Sequence, residues 1–374
     1  MTSPIHEIHK SLGACFCEIK GWEMPARYSN PVEEHLNVRS NVGILDLSHR
    51  GKVIISGKDR TSFLQKILSQ DINSLTPSSG AYSTLLDVKG RMLAYMKIYC
   101  DEDSFFIDLE PGLSEIFVQA LKHYQFREDV VMEDVTERYG LITVQGPQSR
   151  QLLSSVANMD IKDMPECSHI NLPINNINTK VVRTSYTGEE GYDIYALRDE
   201  IHTVWDALIR GTSRISRGNT GSAPLFGPIF GIEALETLRI EAGTPVYFSD
   251  MDEHTIPVES NLDKAISYTK GCYIGQETIS RIKFRGHVNR TLTGFYIDGD
   301  IVPVKGDKII KIIHDIEQNV GVITSACHSP TLNKIIAMGY IRIECNEPGE
   351  TIYIERDPQR FTAVVTKLPF YTRD

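Results

Sequence analysis

From about Thr291 the chain is reduced to short apolar runs (LTGFYI, KIIKIIH, VGVITS, IAMGYIRI, TIYIE and FTAVVTKL) separated by Gly, Asp, Asn and Pro turns. Runs this short and this regularly punctuated read as strands and predict a separate all-β unit, a small barrel. With 374 residues in all, the part before it has room for one or two further domains. There the patterns mix. GKVIIS (Gly51–Ser56) alternates like a strand, and Asp59 is placed to cap a helix with Phe63, Leu64, Ile67 and Leu68 on one face. A hairpin is expected around Val88-Lys89-Gly90, then a strand after Asp101-Glu102-Asp103. Next comes a helix with Leu113, Ile116, Phe117, Ala120, Leu121 and Tyr124 at i, i+3, i+4 spacing. That order predicts antiparallel α+β layers and not a doubly wound parallel sheet.

A similar pattern returns at Leu141. A strand, LITVQG, leads to a helix opened by Pro147, and two strands pair across TGEEG before a helix that buries Ile201, Val204, Trp205 and Leu208. Earlier, Val32 and Leu36 predict an apolar edge on the helix PVEEHLNVRS. Residues 216–228 predict a flexible loop before the helix GIEALETLRIEAG.

Charge and cysteine usage narrow the function classes. A net charge of −10 argues against a general nucleic-acid or membrane-surface role, because phosphate attraction needs a basic field. The opening MTSPIHEIHKSLGACFCEIKG lacks the apolar core of a secretory signal. The least polar later stretch, residues 223–235, is broken by Pro and Gly and does not span a bilayer. Seven scattered cysteines form neither a disulfide framework nor a paired zinc motif, and the chain reads as cytoplasmic.

Three stretches could carry chemistry. YTGEEGYD places Asp193 at the start of an outgoing strand, where a rigid carboxylate could accept two parallel hydrogen bonds from a planar N–H/NH2 edge; a solvated acidic turn is the plainer alternative. LRIEAG and PVYFSDMDEHT offer Arg239, a fork for a carboxylate or a partner for Glu236 or Glu241, together with Tyr247. His254 has no second histidine at ligand spacing, so no metal site is expected. In KGCYIGQE, Cys272 precedes a helix expected at Gln276 and stands near Lys270, Arg281, Lys283 and Arg285, which favours a thiolate; an inert buried cysteine is the alternative.

Taken together, these stretches resemble the glycine-cleavage T-protein superfamily of folate-binding proteins over nearly the whole chain. GWEMPARY, HLNVRSNVGILDLSHRGKVIISGKD, YTGEEGYDI, LRIEAGTPVY, DMDEHTIPVES, VGVITSACHSPTLNKIIAMGYI and LPFYTR carry the likeness in order. The resemblance implies an α+β fold of three lobes around a central opening. A discontinuous folate-binding lobe would comprise residues 1–50 and 138–288, an inserted lobe 51–137, and a C-terminal β-barrel 289–374. It implies tetrahydrofolate as cofactor. Asp193 would stand at the pterin edge, with Tyr186, Arg239, Tyr247 and Arg373 as further folate contacts.

Within the superfamily, KGCYIGQE with RGHVNRTL resembles a branch that serves iron–sulfur cluster assembly and repair, with tRNA-modifying relatives. The T-protein catalytic Asp is replaced by Ala94 and Tyr95, and its folate-binding Asn by the segment containing Asp108, Glu110 and Pro111. The expectation is therefore a folate-dependent accessory factor for iron–sulfur proteins, with Cys272 as its reactive group. The alternatives are an aminomethyltransferase that passes a one-carbon unit to tetrahydrofolate, and a non-catalytic scaffold.

Overall fold

In a computed structural model that describes residues 1–218, 227–356 and 358–373, the six apolar runs after Thr291 become six strands of a closed antiparallel barrel. They are Arg290–Ile297, Lys308–Ile313, Ile316–Ser329, Lys334–Arg342, Thr351–Arg356 and Gln359–Thr366. Alternate side chains fill its interior, including Phe295, Ile309, Ile323, Ala337, Ile352 and Ala363.

Two five-stranded antiparallel sheets precede it. The first runs His169–Ile174, Ile177–Arg183, Gly191–Leu197, Tyr139–Gln145, Gly43–Asp46. The second runs Gly80–Leu86, Met92–Cys100, Ser104–Leu109, Gly51–Ser56, Val131–Asp134. Each sheet covers its outer face with helices. Leu152, Val204, Trp205 and Leu208 pack on Ile142, Val144 and Ile194 of the first; Phe63, Leu64, Phe117 and Leu121 pack on Val53, Met96 and Ile107 of the second. The inner faces meet in a mixed layer, where Leu45, Leu141, Val182 and Tyr195 of one sheet touch Tyr99 and Phe106 of the other.

Period-2 alternation decides what enters that layer. In Met92–Cys100, Ala94, Met96 and Ile98 point to the helix-covered core, so Tyr95, Lys97 and Tyr99 point toward the first sheet. Asp193 lies opposite Val182 and Thr143 in the first sheet and shares their inward direction.

Several local expectations need correction. In the helix Pro31–Ser40 the apolar pair is the exposed one: Val32 and Leu36 are 45% and 41% exposed, whereas Glu34, His35, Asn37, Val38 and Arg39 are buried. The reason is polar pairing. Glu34 accepts from the backbone N–H groups of Tyr28, Ser29 and Gly231, and Arg39 reaches Glu241 and Glu189. Asp59 precedes Arg60–Ile67 but does not cap it, because its carboxylate accepts from Asp129 N instead. Pro147 sits in the turn before Ser149–Ala157, not in the helix. The helix after Asp199 runs Ile201–Gly218 and buries the four residues expected; of the expected loop at 216–228, residues 219–226 lie outside the described residues. Among the described residues no helix is long and apolar enough to cross a membrane.

Candidate functional site

A cavity of about 420 Å³ opens where the tip of the N-terminal hairpin, the ends of the second sheet, the helix Ile232–Glu241 and the loop after it converge. Its walls are largely apolar, with Ile19, Leu47, Ile232, Leu235, Val246 and Tyr247 among them; Tyr186, Arg50, Glu110, Glu236 and Arg239 supply polar groups. That volume and lining fit a flat heterocycle with a few directed polar contacts.

Arg239 is fixed by its surroundings. Nε donates to Glu236 at 2.7 Å, Nη1 to Thr244 O at 3.1 Å and Asp250 at 2.8 Å, and Nη2 to Ser325 at 2.8 Å and to Glu236. Burial works against its charge, but Asp250 and Glu236 outweigh it and keep the guanidinium protonated. Asp250 in turn accepts from Val246 N, Thr324 and Ser325, so this one ion pair ties helix, loop and barrel together. Tyr247 donates from its hydroxyl to Met92 O at 2.8 Å and turns its ring to the cavity.

Asp193 lies one residue deeper, behind Tyr186, and has no exposed surface. Its Oδ2 accepts from Tyr186 at 2.7 Å and from Lys97 Nζ at 3.2 Å, and Lys97 also donates to the Tyr186 hydroxyl at 2.7 Å. Oδ1 is buried with no hydrogen-bond partner among the described residues. One oxygen of the carboxylate is thus unpaired, although buried behind Tyr186 and outside the cavity lining, and the other is taken. Beside this trio, Arg50 holds Asp108 at 2.9 Å and Glu110 at 2.7 Å, and Tyr195 donates to Asp108 at 2.9 Å. Burial opposes the ionisation of Asp108, yet Arg50 and Lys97 bring its carboxyl below the usual range. Burial also drives the neighbouring His49 down to about 3, so it is neutral at physiological pH.

Of the six residues singled out from sequence, Tyr186, Arg239 and Tyr247 line the cavity together. Arg373 does not: it donates to Glu189 and to Arg39 O on the far side of the YTGE turn. Cys272 is exposed and lies outside the cavity lining. Two of its expected cationic neighbours are otherwise engaged. Lys270 turns inward to Leu68 O and Gln70 O, both at 2.7 Å, with burial pulling its ammonium down to about 8, and Lys283 pairs with Asp263. The side chain of Arg285 lies outside the described residues. Gly275, at φ +80°, packs so closely that an added Cβ would meet Asp87 O at 2.6 Å. Asp87 itself accepts from the N–H groups of Lys89 and Arg91 and holds its own turn. Ala94 is buried in the helix-covered core, and Tyr95 stacks on Tyr82 at 5.8 Å.

Sequence reasoning missed Lys97 and Arg50. Lys97 sits on an apolar strand, where a charged residue in an inward register position is the signal that could have marked it; Arg50 lies in the bend just before Gly51–Ser56, where no such pattern points to it.

Residues 5–270 match the GCVT N-terminal domain, and residues 290–372 match the glycine cleavage T-protein C-terminal barrel domain. The aminomethyltransferase of Halothermothrix orenii is 32% identical over 98% of this chain and 99% of its own length. That of Chloroherpeton thalassium is 31% identical over 98% of each. The aminomethyltransferase of Thermosipho melanesiensis is 31% identical over 99% of this chain and 96% of its own. The crystal structure of glycine cleavage system aminomethyltransferase T from Bartonella henselae shares the fold, with a TM-score of 0.86 at 23% identity over 99% of this chain and 98% of that one.

These end-to-end likenesses overturn the expectation of an iron–sulfur accessory factor. That expectation leaned on Ala94 and Tyr95 and on the short stretch around Cys272, whose other residues have packing work to do: Lys270 ties down carbonyls, Tyr273 is buried and Gly275 lets two turns meet. The chain belongs to the glycine-cleavage T-protein family, which uses tetrahydrofolate.

Proposed function

We propose that this protein is an aminomethyltransferase that binds tetrahydrofolate in the cavity and passes a one-carbon unit to it. The observation that carries this reading is the similarity, at about 30% identity and over nearly the full length, to proteins named aminomethyltransferase. The residues present fit such a ligand. Tyr186, Tyr247 and the aliphatic lining offer faces for a pterin ring, and Asp193, with one unpaired oxygen, lies directly behind Tyr186. Because Oδ2 is already shared by Lys97 and Tyr186 and the carboxylate lies outside the cavity lining, this arrangement does not present the two-pronged contact expected from sequence.

With Ala94 and Tyr95 at the place of the family's acid, proton transfer has to come from elsewhere. Glu110 lines the cavity, directly after strand Ser104–Leu109, and its Arg50 partner holds it in place. We assign it the proton-handling role. Mixing the protein anaerobically with an aminomethyl-loaded lipoyl carrier and tetrahydrofolate should release ammonia and form methylene-tetrahydrofolate. Glu110→Gln should lower kcat about 100-fold or more while leaving tetrahydrofolate affinity within about threefold. Ammonia release no faster than without protein would sink the transferase reading. A second reading, folate binding without turnover, is favoured by Ala94 and Tyr95, and the same assay paired with a titration separates the two.

A further inference from the structure

Lys20 sits at the tip of the hairpin between Cys15–Ile19 and Trp22–Arg27, in a two-residue turn with Gly21 where both φ angles are positive, +49° and +81°. That turn throws its side chain over the cavity it helps to line. The stem lies against Gly112, where an added Cβ would meet Lys20 Cγ and Cδ at 3.6 Å. The ammonium stands 3.6 Å from the centroid of the Phe248 ring. One lysine thus spans from the hairpin to two loops on the other side of the opening.

Phe248 is held there at a cost. Its φ of +71° is a conformation that bulky side chains avoid. The surrounding turn enforces it: Phe248 N donates to Met251 O at 2.7 Å, Lys305 Nζ donates to Phe248 O at 2.7 Å, and Asp250, gripped by Arg239, pins Val246 N. Arg239 is therefore occupied in shaping the cavity wall. Its N–H groups are already matched to Glu236, Asp250, Thr244 and Ser325, which leaves none for the acidic tail of a ligand. Arg50 is likewise committed to Asp108 and Glu110. Among the described residues lining the cavity, Lys20 is the cation without a carboxylate partner.

We infer that Lys20 determines specificity for the ligand's acidic tail: its ammonium, seated on the Phe248 ring beside the opening, takes a carboxylate carried by the reduced pterin. Arg239 acts through Asp250 as a positioning residue for that wall. The inference rests on the folate reading above. A cation on an aromatic face keeps its charge and most of its donors available, so it can bind an anion without first breaking an ion pair.

Anaerobic calorimetry on wild type, Lys20→Gln and Lys20→Arg tests it, with tetrahydrofolate and with tetrahydropterin, a reduced ring that lacks the tail. Lys20→Gln should weaken tetrahydrofolate binding about five- to tenfold, Lys20→Arg should restore it to within about twofold, and all three should bind tetrahydropterin alike. The tetrahydrofolate affinity of wild type should also fall with added salt more steeply than that of Lys20→Gln. If Lys20→Gln binds tetrahydrofolate as tightly as wild type, or loses both ligands equally, the assignment to Lys20 is overturned while folate binding stands. If wild type binds neither ligand, the folate reading falls and this inference with it.

Discussion

Arg239 meets acceptors on every side, and the partner that matters most is Asp250, whose side chain has no exposed surface. Removing a guanidinium from such a place leaves a carboxylate buried and uncompensated, which is far costlier than losing a surface pair. Arg239→Met should therefore lower unfolding free energy by about 3–5 kcal/mol, read from denaturant titration, and release the Val246–Met251 turn. A variant that melted like wild type but had lost folate affinity would mean that the arginine serves the ligand and not the wall. The residue types at this site were legible from sequence, because Asp193, Arg239 and Tyr247 stand in recognisable strings. Their partners were not. Lys97 reaches Asp193 from 96 positions away and Ser325 reaches Arg239 from 86, and no local pattern announces a pairing made between sheets or between lobes.

Elements that alternate cleanly were read well, and those whose buried side is polar were read poorly. The barrel strands and the helix Ser114–Tyr124 follow simple periodicity, although Ile116 of that helix is exposed. The buried face of Pro31–Ser40 was missed because hydrophobicity was the wrong guide: the helix buries His35 and Arg39 against partners distant in sequence, and Glu34 against backbone N–H groups both near and distant, and leaves Leu36 in solvent. A related inversion occurs at Lys270, which looked like a promoter of cysteine reactivity and instead caps carbonyls beyond the helix Arg60–Ile67. Two substitutions test both statements by thermal melting. Lys270→Met should cost about 2 kcal/mol, since two carbonyls lose their shared donor. Leu36→Lys should change stability by less than about 0.5 kcal/mol.

At the scale of the whole molecule, Glu241 joins three parts of the chain. It accepts from Arg39 of the Pro31–Ser40 helix and from Ser329 and Thr331 of the barrel, while it belongs itself to the helix Ile232–Glu241. Burial raises its carboxyl, but His35, Ser329 and Arg39 overcome that and bring it from 4.5 to about 2. A carboxyl whose pKa is lower in the folded state contributes stability that is present above the unfolded value and disappears as pH falls through the folded one. The docking of barrel on helices should therefore weaken between about pH 4.5 and pH 2, by on the order of 3 kcal/mol over that window. Hydrogen exchange of amides around Ser329 and Thr331 would report it, and Glu241→Gln should flatten the dependence. The barrel contributes something else through its closure. A ring of six strands presents no unsatisfied rim of amides and carbonyls to a neighbouring molecule, whereas each open sheet ends in two borders. Strand-to-strand association on partial unfolding should accordingly begin at those borders, with Gly80–Leu86 and His169–Ile174 as templates, and the C-terminal unit should be the last part of the chain drawn into an aggregate.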